Sequence, residues 1–186
     1  MDRYWFFTWR TYGTWLPGQA GFVGHHHNER GERVIENTPG TPPADAIPPL
    51  AEYARQLLKC PAVHFNKDQA VMLLEQFLET ARARAWQIEA CAILTNHVHL
   101  VFGVPGDPDP SHMLRDWKSY GSRKLNGKWQ RPASGTWWET RGSKRALKTA
   151  AALKRAIQYV LNQENALLIW HRQVETTDEE ASTFLL

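Results

Sequence analysis

Two histidines separated by one residue form the feature of this sequence best suited to chemistry. His97 and His99 lie in an apolar run from Ala90 to Val104, with Val98 between them. Because side chains alternate between the faces of a strand, both imidazoles should point to the same face. Their nitrogens could then bind one metal ion, which would offset the cost of polar groups in such a strand. A pair of structural histidines satisfied within a sheet is the alternative interpretation.

A basic and aromatic segment follows the histidines. Between Arg115 and Arg155 there are twelve Lys and Arg residues against two acids, although the net charge of the whole chain is only +3. Cations bind phosphates and aromatic rings stack on unpaired bases, so this pattern is typical of a single-stranded nucleic-acid site. A solvated basic surface over core tryptophans is the alternative. The candidate nucleic-acid contacts are Lys118, Tyr120, Arg123, Lys124, Trp137, Arg141, Lys144 and Arg145.

The elements that must position these residues are predicted from apolar periodicity and turn residues. Residues 4–12 form a strand, residues 50–59 a helix, and residues 86–94 and 98–104 a β-hairpin. A second helix runs from an N-cap at Asp68 to residue 84, and a third from an N-cap at Ser111 to residue 125. Residues 131–142 are irregular, residues 148–165 form the last helix, and residues 167–170 form a short strand or a packed tail.

The apolar stripes predict which helix faces are buried. The second helix should bury Val71, Leu74, Leu78 and Ala81, and the last helix Ala152, Ala156 and Val160. This order of elements predicts an α+β, ferredoxin-like layered fold, with helices packed on a central antiparallel sheet.

The whole chain, residues 1–186, is predicted to be one domain with two additions. A loop-rich insertion spans about residues 19–49, and an acidic, exposed C-terminal tail spans about residues 175–186. The insertion contains His25, His26 and His27, for which a loop or substrate contact is favoured over a metal site. No apolar run is long enough to cross a membrane. Two distant cysteines and the absence of a signal peptide predict a cytoplasmic protein.

Two segments together resemble a known family. Residues 94–101 carry the histidine pair after a turn, and residues 156–163 carry Tyr159 and, four residues later on the same helical face, Gln163. This combination resembles the single-tyrosine HUH transposases of the IS200-like superfamily, and most closely the REP-associated tyrosine transposases. The resemblance extends from the first strand to the tyrosine helix.

The resemblance implies a reaction and a set of roles. Tyr159 would attack a phosphodiester of single-stranded or hairpin DNA, such as a transposon end or a REP-like hairpin, leaving a 5′-phosphotyrosine and a 3′-hydroxyl. His97 and His99 would hold Mg²⁺ or Mn²⁺ with Gln163 as the third ligand, Glu164 being a fallback. Family members of this kind act as homodimers or as monomers, and both states are compatible with the sequence.

Three alternatives remain open at this point. Tyr120, which has basic neighbours, is a rival nucleophile, although Tyr159 is preferred because of Gln163 and the family pattern. The chain could also be a catalytically silent nucleic-acid-binding module of the same fold. A third hypothesis is metal-dependent hydrolysis without a covalent step.

Overall fold

The computed structural model describes residues 1–20, 24–27, 30–36 and 45–173, and only the backbone of 24–27 and 33–36. The strands are β1 (Arg3–Thr11), β2 (Gly24–His27), β3 (Arg33–Glu36), β4 (Gln87–Ile93), β5 (His97–Val104), β6 (Trp138–Leu147) and β7 (Leu168–His171). The helices are α1 (Pro48–Gln56), α2 (Lys67–Ala83), α3 (Pro110–Asn126) and α4 (Ala150–Leu161).

Five of these strands form one antiparallel sheet in the order β6-β1-β5-β4-β7. Helix α2 lies on the connection from β1 to β4, after β2, β3 and α1, and α3 connects β5 to β6. Strands β1, β4, β5 and β6, with α2 and α3, therefore have the β-α-β-β-α-β connectivity of a ferredoxin-like fold. The predicted α+β, ferredoxin-like architecture is confirmed, with α4 and β7 added after it.

The sheet buries both of its faces because helices cover each of them. Phe7 and Trp9 of β1 point to the α2 and α3 side and are almost completely buried in the larger core. On the other face, Val101 packs with Ala156 and Val160 of α4 in a smaller core. The buried side predicted for α4 is confirmed, since Ala152 also packs there, half-buried.

Helix α2 differs from the prediction in which side chains it buries. Ala70, Leu73 and Phe77 are completely buried, whereas Val71 is 40% exposed and Leu74 and Leu78 are only partly buried. The buried stripe is thus one residue earlier than predicted for all positions except Ala81. Two apolar stripes overlap on this helix, and turning the Phe77 ring inward removes the larger apolar area from water.

The N-caps of α2 and α3 each lie two residues before the predicted N-cap. Asn66 is the N-cap of α2: its side chain accepts from Gln69 N at 2.9 Å, and the Gln69 side chain accepts from Asn66 N at 2.9 Å. This reciprocal arrangement is a capping box with Gln in place of Glu. Asp109 rather than Ser111 caps α3, accepting from Ser111 N at 2.6 Å.

Replacing the α2 cap should have a measurable cost. We expect Asn66→Ala to lower the free energy of unfolding by about 1 kcal/mol, because the backbone N–H of Gln69 loses its side-chain acceptor. Urea denaturation followed by circular dichroism measures this change. Asp68→Ala is the control, since Asp68 lies in the first turn rather than at the cap. A larger loss for Asp68→Ala than for Asn66→Ala would contradict the observed cap.

The segment predicted to be irregular, residues 131–142, contains the start of β6. This strand is at the edge of the sheet and is deeply buried only at its ends, at Trp138 and Leu147. Its middle is polar on both faces, so the sequence lacks the alternation from which a strand is predicted. The prediction of irregular structure was wrong from Trp138 onward.

The insertion is not loop throughout, because β2 and β3 pair as a separate two-stranded antiparallel sheet. The three histidines 25–27 lie on β2, where only the backbone is described. The predicted acidic tail, about residues 175–186, lies outside the described residues. Within the described part of the chain, none of the helices has the length and apolar character needed to span a membrane.

Candidate functional site

The two histidines lie at the start of β5 and face α4. The strand register places His97 opposite Arg10 and His99 opposite Thr8 on β1. Val98, between them, is completely buried in the larger core on the opposite face. Alternation along the strand therefore brings both imidazoles to the same face, as the sequence predicts.

Hydrogen bonds orient both imidazole rings. Nδ1 of His97 is 2.6 Å from Asn96 Oδ1, and Nδ1 of His99 is 2.7 Å from Thr8 Oγ1. The two Nε2 atoms lie within hydrogen-bond distance of each other, at 3.0 Å. Fixing Nδ1 in this way is how proteins orient histidines whose Nε2 binds a metal. The backbone of the turn is fixed as well, since Thr11 N donates to Asn96 O at 3.0 Å.

The site favours neutral histidines. Burial, assisted by the nearby charge of Arg10, lowers the pKa of His97 to about 4. Burial, together with His97 and Arg10, lowers the pKa of His99 to about 3. At neutral pH both rings therefore keep a free lone pair, which is the form that binds metals.

These pKa values predict how stability depends on pH. In the unfolded chain each histidine titrates near pH 6.5. Between about pH 6.5 and pH 4 the unfolded state binds protons that the folded state does not, so the free energy of unfolding should fall as the pH is lowered. Urea denaturation at pH 7 and pH 5 measures this loss. It should be smaller in a His97→Gln/His99→Gln variant, and an equal loss in both proteins would contradict the burial of neutral histidines.

Tyr159 lies on the last turn of α4, directly above the histidines. Thr149 caps this helix, and burial of Ala156 and Val160 fixes its rotation on the sheet. The Tyr159 ring centroid is 5.3 Å from that of His99 and 5.7 Å from that of Phe6. The tyrosine is nevertheless 52% exposed. Tyr159 thus contacts His99 of the same chain, while its phenol remains accessible to solvent.

Gln163 does not lie on the helix as predicted. Helix α4 ends at Leu161, four residues before the predicted end, and Asn162 is its C-cap. The Gln163 side-chain nitrogen donates to the Tyr159 carbonyl oxygen at 3.1 Å. This bond satisfies a carbonyl at the helix end and leaves the amide oxygen as the group available to a ligand. Glu164 follows as an exposed residue.

The histidine pair fits a divalent metal. Histidine nitrogens lie about 2.1 Å from such an ion, so two ligands at a right angle are about 3 Å apart. The Nε2 separation of 3.0 Å agrees with that distance. No group of three or more His, Cys, Asp or Glu side chains suited to a metal occurs in the described part of the chain. A further protein ligand here would therefore be an amide, hydroxyl or carbonyl oxygen.

Comparison with known proteins identifies the family. A family model described as "Transposase IS200 like" matches residues 58–163, which include β4, β5, α3, β6 and α4. The chain belongs to the IS200-like transposase family. No curated protein matches it. A solved structure of a REP-associated tyrosine transposase bound to a REP hairpin is similar, with 19% identity and a TM-score of 0.47, covering 86% of this chain. This chain spans 64% of that one.

In this transposase-family chain, the predicted nucleic-acid contacts fall into three environments. The first is an open groove of about 740 Å³ between α3 and β6, lined by Lys118, Arg141 and Lys144. The second is the histidine face, where the guanidinium of Arg145 lies 5.2 Å from the Phe6 ring centroid. The third is the surface of α3, where exposed Arg123 lies over Tyr120 and Lys124 is half-buried.

Several of the predicted contacts have partners within the protein, among them Lys144, which donates to Ser111 Oγ at 2.9 Å, and Lys118 and Trp137. The Lys118 ammonium donates to the carbonyl oxygens of Glu139 at 2.7 Å and Arg141 at 2.9 Å, and it joins α3 to β6. Burial lowers the pKa of Lys118 to about 8, although Glu139 acts in the opposite direction. Trp137 is only 4% exposed, and its indole donates to Asn126 Oδ1 at 2.8 Å. The ring of Trp137, a candidate nucleic-acid contact, therefore lies in the core and not on a surface where a base could stack on it.

The rival nucleophile Tyr120 lies on α3, and its hydroxyl accepts from Arg84 at 3.4 Å. The site also contains Phe6, Thr8 and Arg10 of β1, which are not among the predicted site residues. Alternation along β1 places these three residues on one face of the strand. That this face is the one beside the histidines follows only from the pairing of β1 with β5.

Proposed function

We propose that this chain is a metal-dependent single-stranded DNA nuclease and strand transferase that forms a 5′-phosphotyrosine intermediate on transposon-end or REP-like hairpin DNA. The observation that carries the proposal is the position of Tyr159, whose ring contacts His99 above two convergent Nε2 atoms. A nucleophile beside two histidines that could bind a metal is an arrangement suited to phosphodiester transfer.

The protein residues have distinct parts in this reaction. His97 and His99 would hold Mg²⁺ or Mn²⁺, with Gln163 contributing its amide oxygen, and the bound cation would supply charge neutralisation at the phosphate. Thr8 and Asn96 keep the imidazoles oriented through Nδ1. Phe6 and His99 hold the Tyr159 ring on two sides.

The chemical step is a transesterification. The Tyr159 oxygen bonds to phosphorus and releases its proton, which the exposed position of the ring allows to pass to water. The bond from phosphorus to the 3′-oxygen breaks, and that oxygen is protonated to a 3′-hydroxyl. One phosphodiester bond replaces another, so a 3′-hydroxyl can later displace the tyrosine without an external energy source.

The DNA would be bound by the basic surface beside the site. Exposed Arg141 and Lys144 line the groove between α3 and β6, and exposed Arg145 is on the same strand facing the histidine side. Cations on both faces of an edge strand would allow a flexible single strand to pass from the groove to Tyr159. Lys118, which is engaged with carbonyl oxygens, is assigned to holding β6 in place.

The test is covalent capture. The protein is incubated with Mn²⁺ and a library of single-stranded DNA hairpins with randomised flanks, labelled at the 3′ end or, in a parallel sample, at the 5′ end, and analysed on a denaturing gel. We expect 3′ label to migrate with the protein and 5′ label to appear in a shorter oligonucleotide, and EDTA to abolish both. Cleavage without attached label would instead indicate hydrolysis. DNA binding without cleavage would favour a silent nucleic-acid-binding module.

A further inference from the structure

Arg10 shares the face of the sheet that holds the histidine pair. In the β1–β5 register it lies opposite His97, two residues along β1 from Thr8, which bonds His99. Alternation along β1 therefore directs Arg10 to the side of the sheet covered by α4. Its charge acts on both imidazoles, and Tyr159 acts electrostatically on it. A cation thus lies within electrostatic range of His97, His99 and Tyr159.

The guanidinium is held in place by an aromatic ring. Cζ of Arg10 lies 3.7 Å from the ring centroid of Trp15, in the turns that follow β1. Stacking of this kind leaves the N–H groups at the guanidinium edge free to donate in the plane. Both residues are half-buried. The arrangement restricts the side chain before any ligand arrives.

The donors of Arg10 lack an acidic partner among the described residues. Arg3, Arg84 and Arg172 each form an ion pair, with Asp107, Asp116 and Glu89 respectively. No ion pair or hydrogen bond of the Arg10 guanidinium occurs in the described part of the chain. Glu139, which also acts on Arg10, has Oε1 engaged by Gly13 N at 2.6 Å. A half-buried cation without such a partner is costly unless an anion binds it.

We propose that Arg10, stacked on Trp15, forms an anion-binding site that takes the non-bridging oxygens of a DNA phosphate at Tyr159. The planar fork of a guanidinium matches two oxygens of a phosphate, which a lysine ammonium cannot do. The site would orient the phosphate before attack and hold it while it is bonded to tyrosine. This inference rests on the proposed function for its ligand, and it adds a residue outside the histidines and the tyrosine.

The first test measures binding without chemistry. In the Tyr159→Phe background and in EDTA, the affinity for a mixed-sequence single-stranded 30-mer is measured at several salt concentrations. Arg10→Gln should reduce the slope of log K against log salt by about 0.7, the value for one phosphate contact to a single strand. Arg10→Lys, which keeps the charge, should retain most of the slope. Arg3→Gln, on the same strand but ion-paired to Asp107, should leave it unchanged.

The second test measures the covalent step with the captured hairpin. Arg10→Gln should slow adduct formation about 10²–10³-fold, the usual effect of removing one group that stabilises developing charge. Adduct formation should also be slow in Arg10→Lys, because lysine lacks the planar guanidinium that stacks on Trp15. Calorimetry with Mn²⁺ should show that metal binding persists in both variants, which excludes collapse of the histidine pair. Circular dichroism checks folding, and Arg10→Lys serves as the test variant if Arg10→Gln is unfolded.

The outcomes separate the two proposals. If the wild-type protein forms no adduct but Arg10→Gln lowers the salt slope, the proposed function fails and the phosphate site stands. If the wild-type protein forms the adduct and Arg10→Gln changes neither the slope nor the rate by more than twofold, the phosphate site is overturned. A slope change of the same size in Arg3→Gln would also overturn it.

Discussion

Tyr159→Phe is expected to abolish the covalent protein–DNA adduct while leaving the fold and DNA binding intact. The substitution removes the only atom that is proposed to bond phosphorus, so the covalent product cannot form. The phenylalanine ring keeps the contacts with His99 and Phe6 that position this part of α4. A denaturing gel with 3′-labelled hairpin DNA measures the adduct, and salt-dependent affinity measures binding.

Tyr120→Phe is the matched control for this prediction. Tyr120 is the other tyrosine with basic neighbours, but it lies on α3 beside Arg84 and Arg123. Its variant should form the adduct at a rate close to that of the wild type. An adduct that survives in Tyr159→Phe and disappears in Tyr120→Phe would move the nucleophile to α3. Loss of adduct in both variants would point to a shared effect on DNA binding, which the affinity measurement reveals.

Trp117→Ala is expected to lower the free energy of unfolding by about 3–5 kcal/mol. The indole is completely buried between α2 and the sheet, with ring centroids 5.0 Å from Trp86, 5.3 Å from Phe102 and 5.7 Å from Phe77. Truncation removes these contacts and leaves a cavity. For a chain of this length the melting temperature should fall by roughly 6–20 °C. Urea and thermal denaturation followed by circular dichroism measure the change.

Two variants make this prediction specific. Trp117 Nε1 is buried without a hydrogen-bond partner among the described residues, so Trp117→Phe loses no hydrogen bond and should cost less than the alanine variant. Tyr53→Ala removes an aromatic ring that is 60% exposed and should change the stability by less than 1 kcal/mol. Equal losses for Trp117→Ala and Tyr53→Ala would show that the aromatic cluster is not the main source of stability.

The parts of this fold that could be predicted from the sequence are those whose apolar residues recur with a clear strand or helix period. Alternation in β5 places His97 and His99 on one face, and the stripe of α4 places Ala156 and Val160 on the sheet. Together they bring Tyr159 towards the histidines, because a helix whose buried side is known has little rotational freedom. Chain order then gave the ferredoxin-like arrangement, since each pair of non-neighbouring strands is connected by a helix.

The remaining features depend on pairings that one segment does not encode. Thr8 and Arg10 enter the site only through the antiparallel register of β1 against β5. The polar sequence in the middle of β6 predicts a loop. Its strand conformation comes from pairing with β1 and not from its own side chains. Gln163 was expected on α4, but the helix ends at Leu161 and the chain turns through Asn165 with a positive φ of 59°.

The bond between Lys118 and β6 has a consequence for self-association. An edge strand with free carbonyl oxygens is a template on which another chain can add a strand, and aggregation often starts there. Lys118 occupies the carbonyl oxygens of Glu139 and Arg141, where the register of β6 with β1 shifts, and exposed Arg141, Lys144 and Arg145 add positive charge along this strand. An incoming strand would have to displace the ammonium and approach these like charges. At these residues, the lysine that joins α3 to the sheet therefore also opposes the addition of a strand from another chain.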